Sequence, residues 1–314
     1  MFIYKVEDNK YFNIKELLKS YYEMSDKLIS KLKRYKRIYK NDLPVYVTEK
    51  LSIGDVVKID LIFEEESDNI LPIKKDFSIL YEDEYMLIVN KEPSFPVHPS
   101  SSHREDSLSN FVKYYFETKN IKCKLRPVNR LDKDTSGIVI FAKLDYIQEC
   151  LIKQMQKNIL KKEYLSILEN IPSPLSGTIS APIARKEGSI IEREICFEER
   201  PYLSIDYKPA FAETIYKVQK IYENKNDNIN LSLTHFTLLT GRTHQIRLHS
   251  RYIAAPILGD SLYNKKSDLI TRQALHSYKI TFIHPITKQE MILIAPLPKD
   301  MENILNKFEF KNVL

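Results

Sequence analysis

Apolar positions along the chain fall into two rhythms. From Asp26 to about Tyr35, Leu28, Ile29 and Leu32 recur at helical spacing, with Asp26 placed to cap the run. Lys27, Lys31 and Arg34 fall at i, i+4 and i+7 on another face, with Lys33, Lys36 and Arg37 close by. Short strands are expected at Val45-Tyr46-Val47 and Val56-Val57-Lys58-Ile59. Farther on, Phe77-Ser78-Ile79-Leu80-Tyr81 and Tyr85-Met86-Leu87-Ile88-Val89 flank Glu82-Asp83-Glu84, the pattern of a β-hairpin. Ser107 can cap a helix that carries Leu108, Phe111, Val112 and Tyr115. Further strands are predicted around 138–141, 164–167, 214–218, 231–234 and 280–283, and a helix over about Asp145 to Ile159.

Many strands without regular strand-helix alternation predict an α+β fold with a largely antiparallel mixed sheet, preceded by a small α/β unit. Glu64-Glu65-Glu66-Ser67-Asp68-Asn69 and Leu71-Pro72 have the composition of a linker. The expected organisation is therefore residues 1–65, a linker over 66–75, and a larger unit over 76–314.

Composition narrows the class only modestly. Lys and Arg number 48 against 42 Asp and Glu, a formal charge of +6 that suits a polyanionic partner without requiring one. Three widely spaced cysteines form no Cys-x-x-Cys pair, which fits a reduced cytoplasm. No apolar run approaches a membrane span, and the N-terminus lacks the pattern of a signal peptide, so a soluble cytoplasmic monomer is expected. The histidines show no His-x-x-x-His pair or cysteine partners, and neither a P-loop nor a Gly-x-Gly-x-x-Gly pattern occurs; no metal and no cofactor are expected. Glycine is scarce, six in all, which draws attention to Gly137, Gly241 and Gly259.

The densest polar cluster of the larger unit is Arg126-Pro127-Val128-Asn129-Arg130-Leu131-Asp132-Lys133-Asp134-Thr135-Ser136-Gly137, which runs directly into the apolar strand from Ile138. A loop feeding a strand is a rigid mount for a reactive side chain. On spacing alone, Asp132 and Asp134 serve equally well as turn formers.

The run Arg130-Leu131-Asp132-Lys133-Asp134-Thr135-Ser136-Gly137 resembles the signature of RNA pseudouridine synthases of the RluA family, in which the aspartate is the essential catalytic residue. That family has histidine before the arginine, where this chain has Asn129. Other segments follow in the family's order: Val89-Asn90-Lys91 with Val97-His98-Pro99, then Lys162-Glu163-Tyr164, then Gly241-Arg242-Thr243-His244-Gln245-Ile246-Arg247, then Pro256-Ile257-Leu258-Gly259-Asp260. Leu275-His276 and His284-Pro285 match its closing hairpin. Over roughly the first sixty residues, Met24 to Leu32 and Ile53 to Ile59 resemble the small S-four-type RNA-binding domain.

The resemblance implies a cofactor-free isomerisation in which uracil leaves carbon 1 of its ribose, rotates and reattaches through carbon 5. Asp132 would either add to carbon 6 of the ring or assist departure of the base. Both routes want it charged, with Arg247 as its ion partner. Tyr164 would lie against the base, by stacking rather than by proton transfer, since an ordinary phenol is a poor base at neutral pH. Arg130 would hold the extracted nucleotide or fill its place. Arg242, His244 and Gln245 would contact substrate, and the recurrence of Arg242, His244 and Arg247 at roughly helical spacing also suggests a phosphate-binding face. Lys27, Lys31 and Arg34 would meet RNA phosphates. The implied partner is structured RNA, with 23S rRNA preferred and tRNA the second choice; a non-catalytic RNA-binding or ribosome-assembly factor is the alternative from another class.

Overall fold

The computed structural model describes residues 1–63, 69–200, 204–224 and 229–311. The expected linker over 66–75 therefore lies partly outside the described residues, at 66–68. The first sixty residues form a four-stranded antiparallel sheet, in which Val56–Ile59 pairs with both Phe2–Lys5 and Ile38–Lys40, and Ile38–Lys40 pairs with Leu43–Pro44. The helix Asp26–Arg34 lies where the apolar spacing placed it, but its cap is Ser25, whose hydroxyl accepts from the Leu28 amide at 3.1 Å. Val45-Tyr46-Val47 is not a strand. Asn41 and Asp42, at φ 51° and 66°, close a tight hairpin that ends the pairing at Leu43–Pro44.

The rest of the chain builds, among its described residues, an eleven-stranded mixed sheet, α+β as expected, beside a small two-stranded one. The main path of the large sheet runs in the spatial order Ser176–Ser180, Glu213–Asn224, Ile229–Leu238, Lys161–Glu169, Leu275–Ile283, Ser136–Ala142, Met86–Lys91 and Ser78–Glu82. Off that path, Glu290–Ile294 pairs with Leu275–Ile283, Glu309–Lys311 with Glu213–Asn224, and Arg126–Pro127 with Ser136–Ala142. The hairpin, the helix Leu108–Thr118 and the helix Asp145–Gln156 stand where the pattern predicted them. Ser107 caps the first of these helices in a reciprocal box with Asn110.

Alternation along the central strands divides the interior in two. Leu87, Val89, Val139 and Phe141 face one core with Leu108, Phe111 and Phe116 of a covering helix. Met86, Ile88, Ile138 and Ile140 face the other, with Tyr146, Ile147 and Leu151 of Asp145–Gln156. All eight strand residues are fully buried, as in a sheet covered on both faces. The second core runs on into Ile14, Leu28, Leu32 and Val57 of the N-terminal unit. Polar ties reinforce that junction: Ser25 bonds Glu149, Lys31 pairs with Asp145, and the Phe2 ring meets Tyr146 edge-on at 5.1 Å.

One pairing in the large sheet is parallel, Leu275–Ile283 beside Ser136–Ala142, and it joins the two halves of the sheet directly behind the polar loop. Gly137 makes that approach feasible. A Cβ there would stand 2.1 Å from the Ser277 carbonyl oxygen, and its φ of +114° suits glycine alone.

Candidate active site

The loop bearing Asp132 is fixed from behind before it reaches the surface. The Val128 amide donates to the Ile140 carbonyl at 2.8 Å. The Asn129 side chain then imitates a strand neighbour, donating to the Ile138 carbonyl and accepting from the Ile140 amide, both at 2.9 Å. Asparagine at this position thus orients the loop from within the protein. The Thr135 amide donates to the Asp132 carbonyl at 3.0 Å, closing a turn whose outward side chain is Asp132.

Two buried cations hold the carbonyls of the same turn. Lys91, fully buried, donates to the carbonyls of Lys133, Glu92 and Phe95 at 2.8, 2.8 and 2.7 Å, which uses all three of its donors. Burial lowers its pKa, while the charges of Asp134 and Asp132 act the other way. Arg272 donates to the Asp134 carbonyl at 3.2 Å and is itself clamped by Asp300 through two bonds, of 2.6 and 2.9 Å. Neither residue carries a role in the sequence-based assignment, although Lys91 stands in its motifs.

Arg247 comes from the helix Gln245–Tyr252 and meets two carboxylates. It grips Asp260 in a two-pronged bond, 2.7 Å on each prong, and reaches Asp132 Oδ2 with its remaining Nη1 at 3.2 Å. Burial works against the guanidinium's charge, but Asp260 and Asp132 outweigh it and raise its pKa. The Asp260 side chain is only 1% exposed and also accepts from the Leu262 and Tyr263 amides. In the sequence Asp260 is merely the last residue of a motif; in the fold it anchors the arginine.

His244 sits at the N-cap of the same helix in a left-handed conformation, φ 59°. Its Nδ1 lies 2.8 Å from the Tyr263 hydroxyl, which accepts from the Arg193 amide at 2.8 Å. The other ring nitrogen, Nε2, lies 3.8 Å from Asp132 Oδ2. Burial lowers the His244 pKa, which agrees with a neutral ring.

Asp132, His244 and Arg247 line one cleft of about 750 Å³, together with Arg130, Lys162, Tyr164 and Arg242. Its volume lies in the range of small-molecule sites. Tyr164 is 5% exposed, and burial pushes its phenol up to about 12, which disfavours a role as base at neutral pH. Arg130 is exposed at the cleft. Arg242 precedes the helix and binds the Phe211 carbonyl through Nε at 2.9 Å, so Arg242, His244 and Arg247 do not form one helical face. Gln245 is turned inward. Its amide nitrogen donates to Glu213 and Thr214 and its oxygen accepts from Thr240 and Arg242, so the amide is fully engaged in shaping the turn. On the N-terminal helix, Lys27 and Arg34 are exposed, whereas Lys31 is drawn into the ion pair with Asp145.

Residues 85–252 match the RNA pseudouridylate synthase family. The chain is 36% identical over 255 residues to the uncharacterized RNA pseudouridine synthase YhcT of Bacillus subtilis, covering 81% of this chain and 80% of that protein. It is 30% identical over 273 residues to ribosomal large subunit pseudouridine synthase D of Haemophilus influenzae, covering 82% and 78%. Among solved structures, human RNA pseudouridylate synthase domain containing 1 has the same fold at a TM-score of 0.59 and 21% identity, over 76% of this chain and 90% of that one.

Proposed function

Because the chain belongs to the RNA pseudouridylate synthase family and is an RNA pseudouridine synthase, an intramolecular isomerase, we propose that it acts on structured RNA, 23S rRNA foremost, with Asp132 as its catalytic group. The observation that carries this assignment is a carboxylate, 28% exposed at its side chain, set in the cleft against an arginine that another carboxylate already holds in place. Attack at carbon 6 and assisted departure of the base both need a carboxylate poised at the uracil, and the bond from Arg247 Nη1 at 3.2 Å fixes the position of this one. Tyr164 forms one wall for the base. Arg130 holds the extruded nucleotide or occupies its vacated place, an extraction that costs a few kcal/mol. His244 turns its Nε2 toward Asp132.

The preference for 23S rRNA rests on similarity to proteins named as ribosomal large subunit synthases. Mapping pseudouridines in rRNA and tRNA from cells lacking this protein, with and without the restored gene, tests it. Loss of one or more 23S sites is expected, and loss confined to tRNA would move the substrate there.

Residues 1–65 are proposed as an RNA-binding unit of the S-four type and 76–314 as the catalytic unit. Because the two share a core, charge reversal is a cleaner probe than deletion, which would uncover apolar surface. Lys27→Glu combined with Arg34→Glu should flatten the salt dependence of RNA binding by about 0.7 to 0.9 in log–log slope for each phosphate that the helix no longer neutralises. An unchanged slope would remove the phosphate role from this helix.

A further inference from the structure

Lys162 is a cation of the cleft that the assignment above leaves unused. It lies on the strand Lys161–Glu169, two residues before Tyr164, so alternation puts both side chains on one face, and both line the cleft. Its neighbour Glu163 is on the opposite face and fully engaged, with Lys279 and His235 each at 2.9 Å. Lys162 itself is half-buried and makes no ion pair or hydrogen bond with the described residues, and burial lowers its pKa. Arg247, which also lines the cleft, is by contrast held by two carboxylates. Gly241 leaves room for the ammonium, since a Cβ there would come within 3.1 Å of Nζ.

A partly desolvated ammonium with no counter-charge among the described residues costs the folded protein free energy and persists where function uses it. We propose that Lys162 and the backbone at Gly241 form a phosphodiester-binding subsite, in which Nζ takes a phosphate adjoining the uridine held between Asp132 and Tyr164. The proposal rests on the synthase assignment. It moves the phosphate contact from the supposed face of Arg242, His244 and Arg247 to Lys162 on the adjoining strand. The subsite binds a link of the RNA chain rather than the base, and so contributes to affinity and placement for any RNA sequence.

The test uses the full-length protein and whichever RNA, rRNA or tRNA from cells lacking it, the wild type converts. Lys162→Met should raise KM roughly tenfold or more with a smaller effect on kcat. It should also reduce the log–log salt slope of binding by about 0.7 to 0.9, one phosphate's worth, and Lys162→Arg should restore that slope. Without RNA, Lys162→Met should melt at the same temperature as wild type or higher, because it removes a charge that no described residue balances. Gly241→Ala, which crowds Nζ, should weaken binding in the same direction. An unchanged slope and KM in Lys162→Met, or a lower melting temperature with no restoration of the slope by arginine, overturns the subsite. If the wild type converts no RNA at all, the synthase assignment fails instead, and that outcome is seen before any variant is compared.

Discussion

Asp132→Asn is expected to lower pseudouridine formation on the order of 10⁴-fold or more, as loss of an essential catalytic group does, while leaving RNA binding as tight as wild type or tighter. The direction of the binding effect follows from charge: the substitution removes a carboxylate that faces a polyanion. Stability should move by no more than about 1 kcal/mol, the range of substitutions that leave no buried group unpaired. Arg247 keeps its two-pronged grip on Asp260 when Asp132 is neutralised, so no buried cation is stranded. Release of tritium from RNA labelled at uracil carbon 5 measures the first quantity, filter binding the second and urea denaturation the third. Residual activity within tenfold of wild type would take the catalytic role away from Asp132. A large loss of stability would show the carboxylate to be a structural partner of Arg247, and the loss of turnover would then say nothing about chemistry.

What could be read in the sequence was whatever lies close together in it. The run from Arg130 to Gly137 is contiguous, and the strand and helix beside it announce themselves by local periodicity, so Asp132 could be placed on its loop without coordinates. Tyr164 and Arg247 were reachable because each stands in its own short motif. The supports were not. Lys91 holds a carbonyl 42 residues away and Arg272 one 138 residues away, and bonds to backbone carbonyls leave no complementary charge to notice. Lys31 illustrates the reverse error. Its spacing from Lys27 and Arg34 suggested one continuous positive face, but its partner Asp145 lies 114 residues on and belongs to the other unit. Gln245 stood among motif residues assigned to substrate, yet both ends of its amide bond the protein. In each case the distinction between a group that faces solvent and one that faces a neighbour is made by tertiary packing.

Asp260 carries the other large effect. Asp260→Ala should destabilise the protein by about 3 to 5 kcal/mol, the cost of stranding one member of a buried ion pair, because the Arg247 side chain is 8% exposed and would keep only the single bond to Asp132. Turnover should fall about 10²-fold even in the folded fraction, since an arginine free to tilt toward its one remaining carboxylate draws that carboxylate from its position. A second consequence separates anchoring from mere bulk. In the Asp260→Asn background, Asp132 becomes the last carboxylate on a buried guanidinium, so Asp132→Asn, nearly silent for stability in the wild type, should become costly there. The expected coupling is about 0.5 to 3 kcal/mol, the range for residues in one network, read from the urea midpoints of the two single variants, the double variant and wild type. Additive midpoints, with turnover retained in Asp260→Asn, would mean that Arg247 is held by its helix alone and that Asp260 serves only the turn beneath Leu262 and Tyr263.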